Sequence, residues 1–437
     1  MVNRFDTAVV RLWGSDVGAV AWLPDRGYGV FEYDPAFLQR GLEISPIHMS
    51  LEAARRSDGI FSFPALNRET FLGLPGLLAD ALPDRFGNSI IDLWLARNGR
   101  DAASFSPVER LCYTGSRAMG ALEFAPPAMK RFNRPVPIEM AELVGLAQRV
   151  MARRLDLDVE LGGSETENSE AIMDILRVGT SAGGARPKAV IAMNEAGSVV
   201  SGQGDAPSGY DYWLLKFDGV TDLELGEPQG YGRIEYAYHL MARAAGITMT
   251  ECRLLEEGGR AHFMTRRFDR VEGRKIHMQS LCGIAHFDFN MAGAYSYEQA
   301  FAVMRRLRMS RADAIQLYRR MLFNVMARNL DDHTKNIAFL MDRDGRWRLS
   351  PAFDLTYSHN PAGRWTNQHQ MSINGRREHI TRADLVATAE SVGIRRPREI
   401  IDEVAEAVGR WPQFGADAGV RQQTIAGIAR HHRTDLG

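Results

Sequence analysis

Residues Asn324–Asp354 read NVMARNLDDHTKNIAFLMDRDGRWRLSPAFD, and the reading of the second half of the chain turns on this stretch. A helical apolar pattern, LYRRMLFNVMARN, ends near Asn329. The polar cluster LDDHTKN follows, then the apolar run IAFLM, the turn DRDG, the short strand RWRLS and the segment PAFD. The periodicities predict helix, polar loop, β-hairpin and a carboxylate just past the second strand. Asp331 precedes Asn336 by five residues, and Asp354 lies beyond the hairpin. Phosphoryl transfer needs these residue types in this order. A carboxylate accepts a hydroxyl proton, and an amide oxygen and a second carboxylate are hard ligands for Mg2+. Asp332 is a rival for the base, but only Asp331 has the five-residue step to Asn336. A plain polar turn between a helix and a hairpin is the alternative, so the remaining chain has to decide.

With 437 residues the chain has room for two or three domains. It is 45% hydrophobic and 24% charged, with a formal net charge of -1. Such a balance provides no global field for nucleic acid or an acidic membrane. The N-terminal MVNRFDTAVVRLWG lacks an apolar core of signal-peptide length, and no run approaches about 18 apolar residues. Cys112, Cys252 and Cys282 are scattered without a CxxC pair. A reducing cytoplasm and buried thiols are the expectation.

Upstream, residues 8–33 alternate between apolar and polar and are punctuated by Gly14, Gly18 and Gly27, the pattern of a small antiparallel sheet. The segment FLGLPGLLADALPDRFGNSIIDLWLARNG turns helical, with Asn98-Gly99 as its end, and MGALEFAP reads as a strand. Prolines at 126, 127, 135 and 137 mark a subdomain edge, a helix is expected over about 138–154, and an acidic loop follows it. In VGTSAGGARPKAVIAM, small residues precede Lys188 and a strand. Such residues let backbone N–H groups turn toward an anion, and the lysine adds a point charge for phosphate. Neither a Walker motif nor a Rossmann fingerprint is present.

Lys216 interrupts the apolar strand YWLLKFD, and the helix YGRIEYAYHLMARAAGI follows with Glu235 near its start. A strand lysine that grips nucleotide phosphates and pairs with a helix glutamate is one reading, and a lysine snorkelling to solvent is the other. Tyr236, Tyr238 and His239 read as packing. The strand AHFMTRRFDR supplies Phe268 as a candidate apolar side chain for an adenine pocket. From residue 297 on, the pattern is helical, with Ser310/Asp313 and Thr381/Asp384 as capping pairs. Arginines at 305, 306, 308, 311, 319 and 320 read as a solvated basic face.

These signs fall in the order a two-lobed phosphotransferase requires. Along nearly its whole length the chain resembles the HipA family of serine/threonine kinases, the toxins of bacterial type II toxin–antitoxin pairs. GGARPKAVI resembles the family's glycine loop, LLKF its strand lysine, RRFDR its linker, DDHTKN its catalytic loop and LSPAFDL its metal aspartate. VRLWG, LLADALPDRFGN and MGALEFAP resemble its N-terminal subdomain. The resemblance implies an α+β, two-lobed kinase-like fold with three parts: residues 1–130 as a small sheet with helices, 131–280 as a nucleotide-binding α/β subdomain, and 281–437 as a helical catalytic lobe. It implies Asp331 as catalytic base, Asn336 and Asp354 as Mg2+ ligands, and Lys216 on the ATP phosphates. Gly183, Gly184, Ala185, Arg186, Pro187 and Lys188 would cover those phosphates, with His333 and Lys335 nearby. Arg266, Arg267 and Phe268 would lie beside adenine, with Phe353 next to the metal aspartate. Ser181 would be the autophosphorylated residue that silences the enzyme. Implied partners are a small helix-turn-helix antitoxin (HipB-like), operator DNA bound through that antitoxin, and a protein substrate, an aminoacyl-tRNA synthetase; no membrane is implied. Two rivals stand beside this reading: a metal-dependent phosphohydrolase built on Asp331, Asp332 and His333, and a non-catalytic corepressor that binds antitoxin and DNA.

Overall fold

A computed structural model describes residues 4–83, 85–127, 137–138, 144–145, 188–218 and 230–436. All but residues 138, 144 and 145 of the helix expected over 138–154, the acidic loop after it, and Ser181, Gly183, Gly184, Ala185, Arg186 and Pro187 lie outside the described residues. The chain divides into two compact units. The first comprises residues 1–43, 49–232 and 253–277, and the second comprises 44–48, 233–252 and 278–437.

The first unit holds two five-stranded sheets. One contains β1 (Thr7–Leu12), β2 (Ser15–Leu23), β3 (Tyr28–Tyr33), β4 (Ile60–Phe61) and β5 (Leu122–Ala125), in the antiparallel order β4-β3-β2-β1-β5. Alternation sets its inner face: Ala8, Val10 and Leu12 of β1 are buried between exposed or half-buried neighbours. The expected long helix after residue 70 is instead three pieces, Arg68–Phe71, Gly76–Ala79 and Arg85–Arg97. Leu72 and Gly73 take positive φ, and Pro75 and Pro83 stand before the later pieces, so continuous apolar spacing does not carry one helix through them. Gly99, at φ 67°, ends the last piece as its sequence suggests.

The second sheet runs β7-β6-β8-β10-β9 and is built from β6 (Lys188–Asn194), β7 (Val199–Ser201), β8 (Tyr210–Lys216), β9 (Cys252–Glu257) and β10 (Arg260–Arg266). An ion cluster ties the first unit together. Asp269 accepts from Arg267 Nε at 2.9 Å, from Arg267 Nη2 and Arg270 Nη1 at 2.7 Å each, and from the Gly120 N–H at 2.7 Å.

The second unit is mainly helical around a three-stranded sheet of β13 (His277–Ser280), β14 (Ala338–Met341) and β15 (Trp347–Leu349). The hairpin β14–β15 pairs Phe339 with Leu349 and Met341 with Trp347, as the stretch IAFLM–DRDG–RWRLS predicts. Both expected capping boxes are present, at Ser310/Asp313 and Thr381/Asp384. Tyr238 is fully buried and donates to the Ala327 carbonyl at 2.6 Å, which is the packing role read from the sequence. No described helix is long and apolar enough to cross a membrane.

Candidate active site

The helix Arg311–Met326 delivers the chain to the loop. It ends at Ala327, whose N–H bonds the Phe323 carbonyl, and Arg328 then takes φ 58° and turns the backbone out of the helix. Residues 328–330 lie beside Ser358: Leu330 N–H donates to the Ser358 carbonyl, and Ser358 N–H donates to the Arg328 carbonyl, both at 3.1 Å. The loop is therefore fixed from behind before its functional residues begin.

The two neighbouring aspartates have different environments. Asp332 is 3% exposed and its carboxylate is occupied. One oxygen accepts from Tyr297 Oη at 3.0 Å and lies 2.9 Å from His369 Nδ1; the other accepts from the Gln370 N–H at 2.7 Å. Burial, and then the Asp332 charge, push the Tyr297 hydroxyl well above its ordinary pKa, so it stays a donor. Asn324 Nδ2 donates to Tyr297 Oη, and Asn329 Nδ2 donates to Asn324 Oδ1 and to the Asp354 carbonyl. By contrast, Asp331 is half-buried, and its carboxylate makes no hydrogen bond or ion pair to a described residue. Asn336 Nδ2 donates to the Asp331 carbonyl at 2.7 Å, which leaves Oδ1 as the amide's free acceptor. The five-residue step thus closes the loop on itself. A 3-10 turn over Thr334–Asn336, with Thr334 Oγ1 donating to Phe287 O at 2.7 Å, holds that closure in place.

Asn336 and Asp354 line one cavity, together with Asn329, Asp332, His333 and Arg320. Asp354 sits at φ 54°, a left-handed conformation disfavoured for a residue with a Cβ and held here by its surroundings. Four buried atoms of residues lining this cavity, Arg320 Nε and Nη1, Asn329 Oδ1 and His333 Nδ1, have no hydrogen-bond partner among the described residues. Amide and carboxylate oxygens are the donor type a hard divalent cation takes, and Asn336 and Asp354 are the residues here that could hold one. Lys335 Nζ lies 4.6 Å over the Phe289 ring, and that ring is 5.6 Å from His333.

Arg320 departs from the sequence reading. It is 4% exposed, so it is not on a solvated basic face. Burial lowers its pKa to about 9, only partly offset by Asp313 and Tyr297, and its Nη2 donates to the Ser350 carbonyl. Arg319, one residue earlier, pairs with Glu403 at the surface.

In the first unit, the register of β6 against β8 places Lys188 directly opposite Lys216, and β10 places Phe263 on the other side of Lys216. The three side chains share one face of the sheet, and Lys216 Nζ lies 5.7 Å over the Phe263 ring. Glu235 is buried on the helix Tyr231–Ala244, within the second unit. Arg266 pairs with Asp211, and Arg267 is buried against Asp269 with its N–H on the Tyr212 carbonyl. Both guanidinium groups read as adenine contacts are therefore engaged by neighbouring carboxylates. Phe268 and Phe353 are half-buried. Sequence reasoning missed Tyr297, Asn324, Asn329, His369 and Gln370, which carry no local signal because they reach Asp332 only through the fold.

The architecture is an α+β, kinase-like fold of two units. Residues 8–125 match the HipA N-terminal domain, and residues 180–411 match the HipA-like C-terminal domain. The chain belongs to the HipA family. Among solved structures it resembles Shewanella oneidensis HipA, determined with HipB and operator DNA, at a TM-score of 0.64 and 18% identity over 98% of this chain and 95% of that one. The Helicobacter pylori proinflammatory kinase CtkA is far weaker, with a TM-score of 0.33 and 10% identity over 51% of this chain and 87% of that one, and supports no argument. The Sinorhizobium fredii protein "Putative kinase Y4mE" is 24% identical over 343 residues, which is 71% of this chain and 72% of that one.

Proposed function

We propose that the protein is an ATP- and Mg2+-dependent serine/threonine kinase of the toxin–antitoxin type. One observation carries the reading: of two adjacent aspartates, Asp332 is built into the scaffold and Asp331 is left with a free carboxylate on a loop that Asn336 closes. A phosphohydrolase that uses Asp331, Asp332 and His333 together would need the second carboxylate available, and it is fully engaged.

In the reaction, the hydroxyl oxygen of a protein serine or threonine attacks the γ-phosphorus of ATP, the bond to the bridging oxygen breaks, and ADP leaves with the electron pair. Asp331 accepts the hydroxyl proton. Lys188 and Lys216 bind the nucleotide phosphates, with Lys188 continuing the segment Gly183–Pro187. Asn336 and Asp354 hold the metal, which supplies charge neutralisation on the transferred group when bound. Arg267 and Phe268 contribute to an adenine pocket through backbone and ring, and His333, Lys335 and Phe353 flank the phosphate end. Phosphorylation of Ser181 would place about two negative charges near the phosphate-binding loop and switch the enzyme off.

The complex of the Shewanella protein with HipB and operator DNA supports a small helix-turn-helix antitoxin as partner, with DNA contacted through it. An aminoacyl-tRNA synthetase is the substrate class the family reading favours, and the cytoplasm is the compartment. The test is incubation of the protein with labelled ATP, magnesium and cell lysate, followed by phosphosite mapping. Label on a serine or threonine of a lysate protein, absent in Asp331→Asn, is the expected result. Equal labelling by Asp331→Asn, or release of inorganic phosphate from monoesters without nucleotide, overturns the reading.

A further inference from the structure

Behind the loop, the C-terminal segment packs against the residues that lead into it. Arg433 N–H donates to the Met326 carbonyl at 2.8 Å, and its Nη2 donates to the Ile380 carbonyl at 3.0 Å. Tyr357 Oη lies 2.6 Å from His431 Nδ1 and 3.4 Å from His359 Nδ1, and the two imidazole rings are 4.9 Å apart. His432 Nε2 lies 3.0 Å from Tyr238 Oη. Tyr238 Oη also donates to the Ala327 carbonyl.

Arg328 sits in the midst of this group. Its guanidinium is half-buried and makes no hydrogen bond or ion pair to a described residue. Arg433 makes no ion pair either. Burial first, then the Arg433 charge, lower the Arg328 pKa, and burial followed by Arg328 and His431 holds His359 near 4. No carboxylate figures among the charges that act on Arg328, His359, His432 or Arg433. The cluster therefore gathers two guanidinium groups and three imidazoles around two tyrosines, with no carboxylate paired to them among the described residues. Two other largely buried arginines do pair with carboxylates: Arg100 with Glu109, and Arg110 with Asp92.

We propose that Arg328, Arg433, His359 and His431 form a binding site for a phosphate-type oxyanion, separate from the nucleotide site. Two guanidinium forks and imidazole N–H donors match a tetrahedral phosphate, free or as a monoester on a phosphorylated side chain. An anion there would lie against residues 328–330, three residues from Asp331, and would act on the loop through the Arg328–Ser358 backbone pairing.

The test follows the histidine rings by nitrogen-15 NMR while inorganic phosphate or phosphoserine is added, with chloride at matched ionic strength as control. A saturable shift at His359 and His431 with phosphate is expected, weakened at least tenfold by Arg433→Gln and by Arg328→Gln. Arg433→Lys keeps the charge and most of the binding, which separates loss of the site from loss of folding. Asp331→Asn, which should abolish phosphoryl transfer, leaves the shift intact, so this proposal and the kinase reading can fail independently. Tighter response to phosphoserine assigns a phosphorylated protein as the source; an equal response assigns the free ion. No saturable shift, the same shift with chloride, or a shift that both glutamine variants retain would overturn the site.

Discussion

Two buried charged regions of this chain follow opposite rules. In the first unit, Asp269 is fully enclosed and each of its oxygens is met by arginine or backbone donors. In the second unit, Arg320 is almost as deeply buried, yet two of its three guanidinium nitrogens have no partner among the described residues, and the residue lines a cavity shared with Asn336 and Asp354. A satisfied buried ion cluster holds chain segments together. A buried cation left with open donors costs stability unless something else fills the space. The contrast separates structure from site without reference to any relative, and the variants below are arranged to break it.

The largest effect is expected at the free carboxylate. Asp331→Asn should lower the phosphoryl-transfer rate by about 10²–10⁴-fold with no change in melting temperature, because the side chain has no described partner to lose. Asp332→Asn should do the reverse in part: its buried hydrogen bonds with Tyr297, His369 and the Gln370 N–H are lost or inverted, and stability falls. If both variants lost activity and kept full stability, the division between the two aspartates would be wrong.

Asp269→Asn comes next. Leaving two arginines buried without their counter-charge should cost roughly 3–5 kcal/mol, read as a drop in the denaturant midpoint. The pH dependence follows from the same contacts. Burial would raise the Asp269 pKa, but the Arg267 and Arg270 charges and the donated hydrogen bonds outweigh it and hold the carboxyl well below its ordinary range. Its contribution is then fully present above the unfolded value near about 4 and is lost as the pH falls through the lower folded value. Wild-type stability should decline below that pH more steeply than that of Asp269→Asn.

How much of this was legible depends on how far apart the contacting residues lie. The loop, the hairpin and the two capping boxes are written in contiguous residues, so periodicity and spacing reach them: Asn336 bonds the Asp331 carbonyl within five positions. The anchors of Asp332 are 35 to 38 residues away in Tyr297, His369 and Gln370, and no local pattern marks them. Arg320 was read as solvated because arginine usually is; its helix face is buried by packing that the sequence does not display. Prolines 75 and 83, though visible, were outweighed by the apolar run around them, and the helix divides at both.

Arg320→Met tests the second half of the comparison. Removing an unpaired buried charge for an apolar side chain of similar length should leave stability unchanged or raise it by about 1 kcal/mol. Transfer should nevertheless fall roughly tenfold, about 1.4 kcal/mol in the barrier, because the cavity wall behind Asp354 is altered. A loss of both together would make Arg320 a structural residue like Arg267.

The smallest effect concerns the lysines on the first unit's sheet. Lys188 and Lys216 sit opposite each other across β6 and β8. Replacing either with Met should weaken ATP binding several-fold, measured by titration calorimetry. ATP should also stabilise the wild-type protein more than either variant, since in the proposed site the bound phosphates meet both lysines. A variant that melts lower and binds ATP as well as wild type would mean that the pair serves the sheet, and phosphate recognition would have to lie elsewhere.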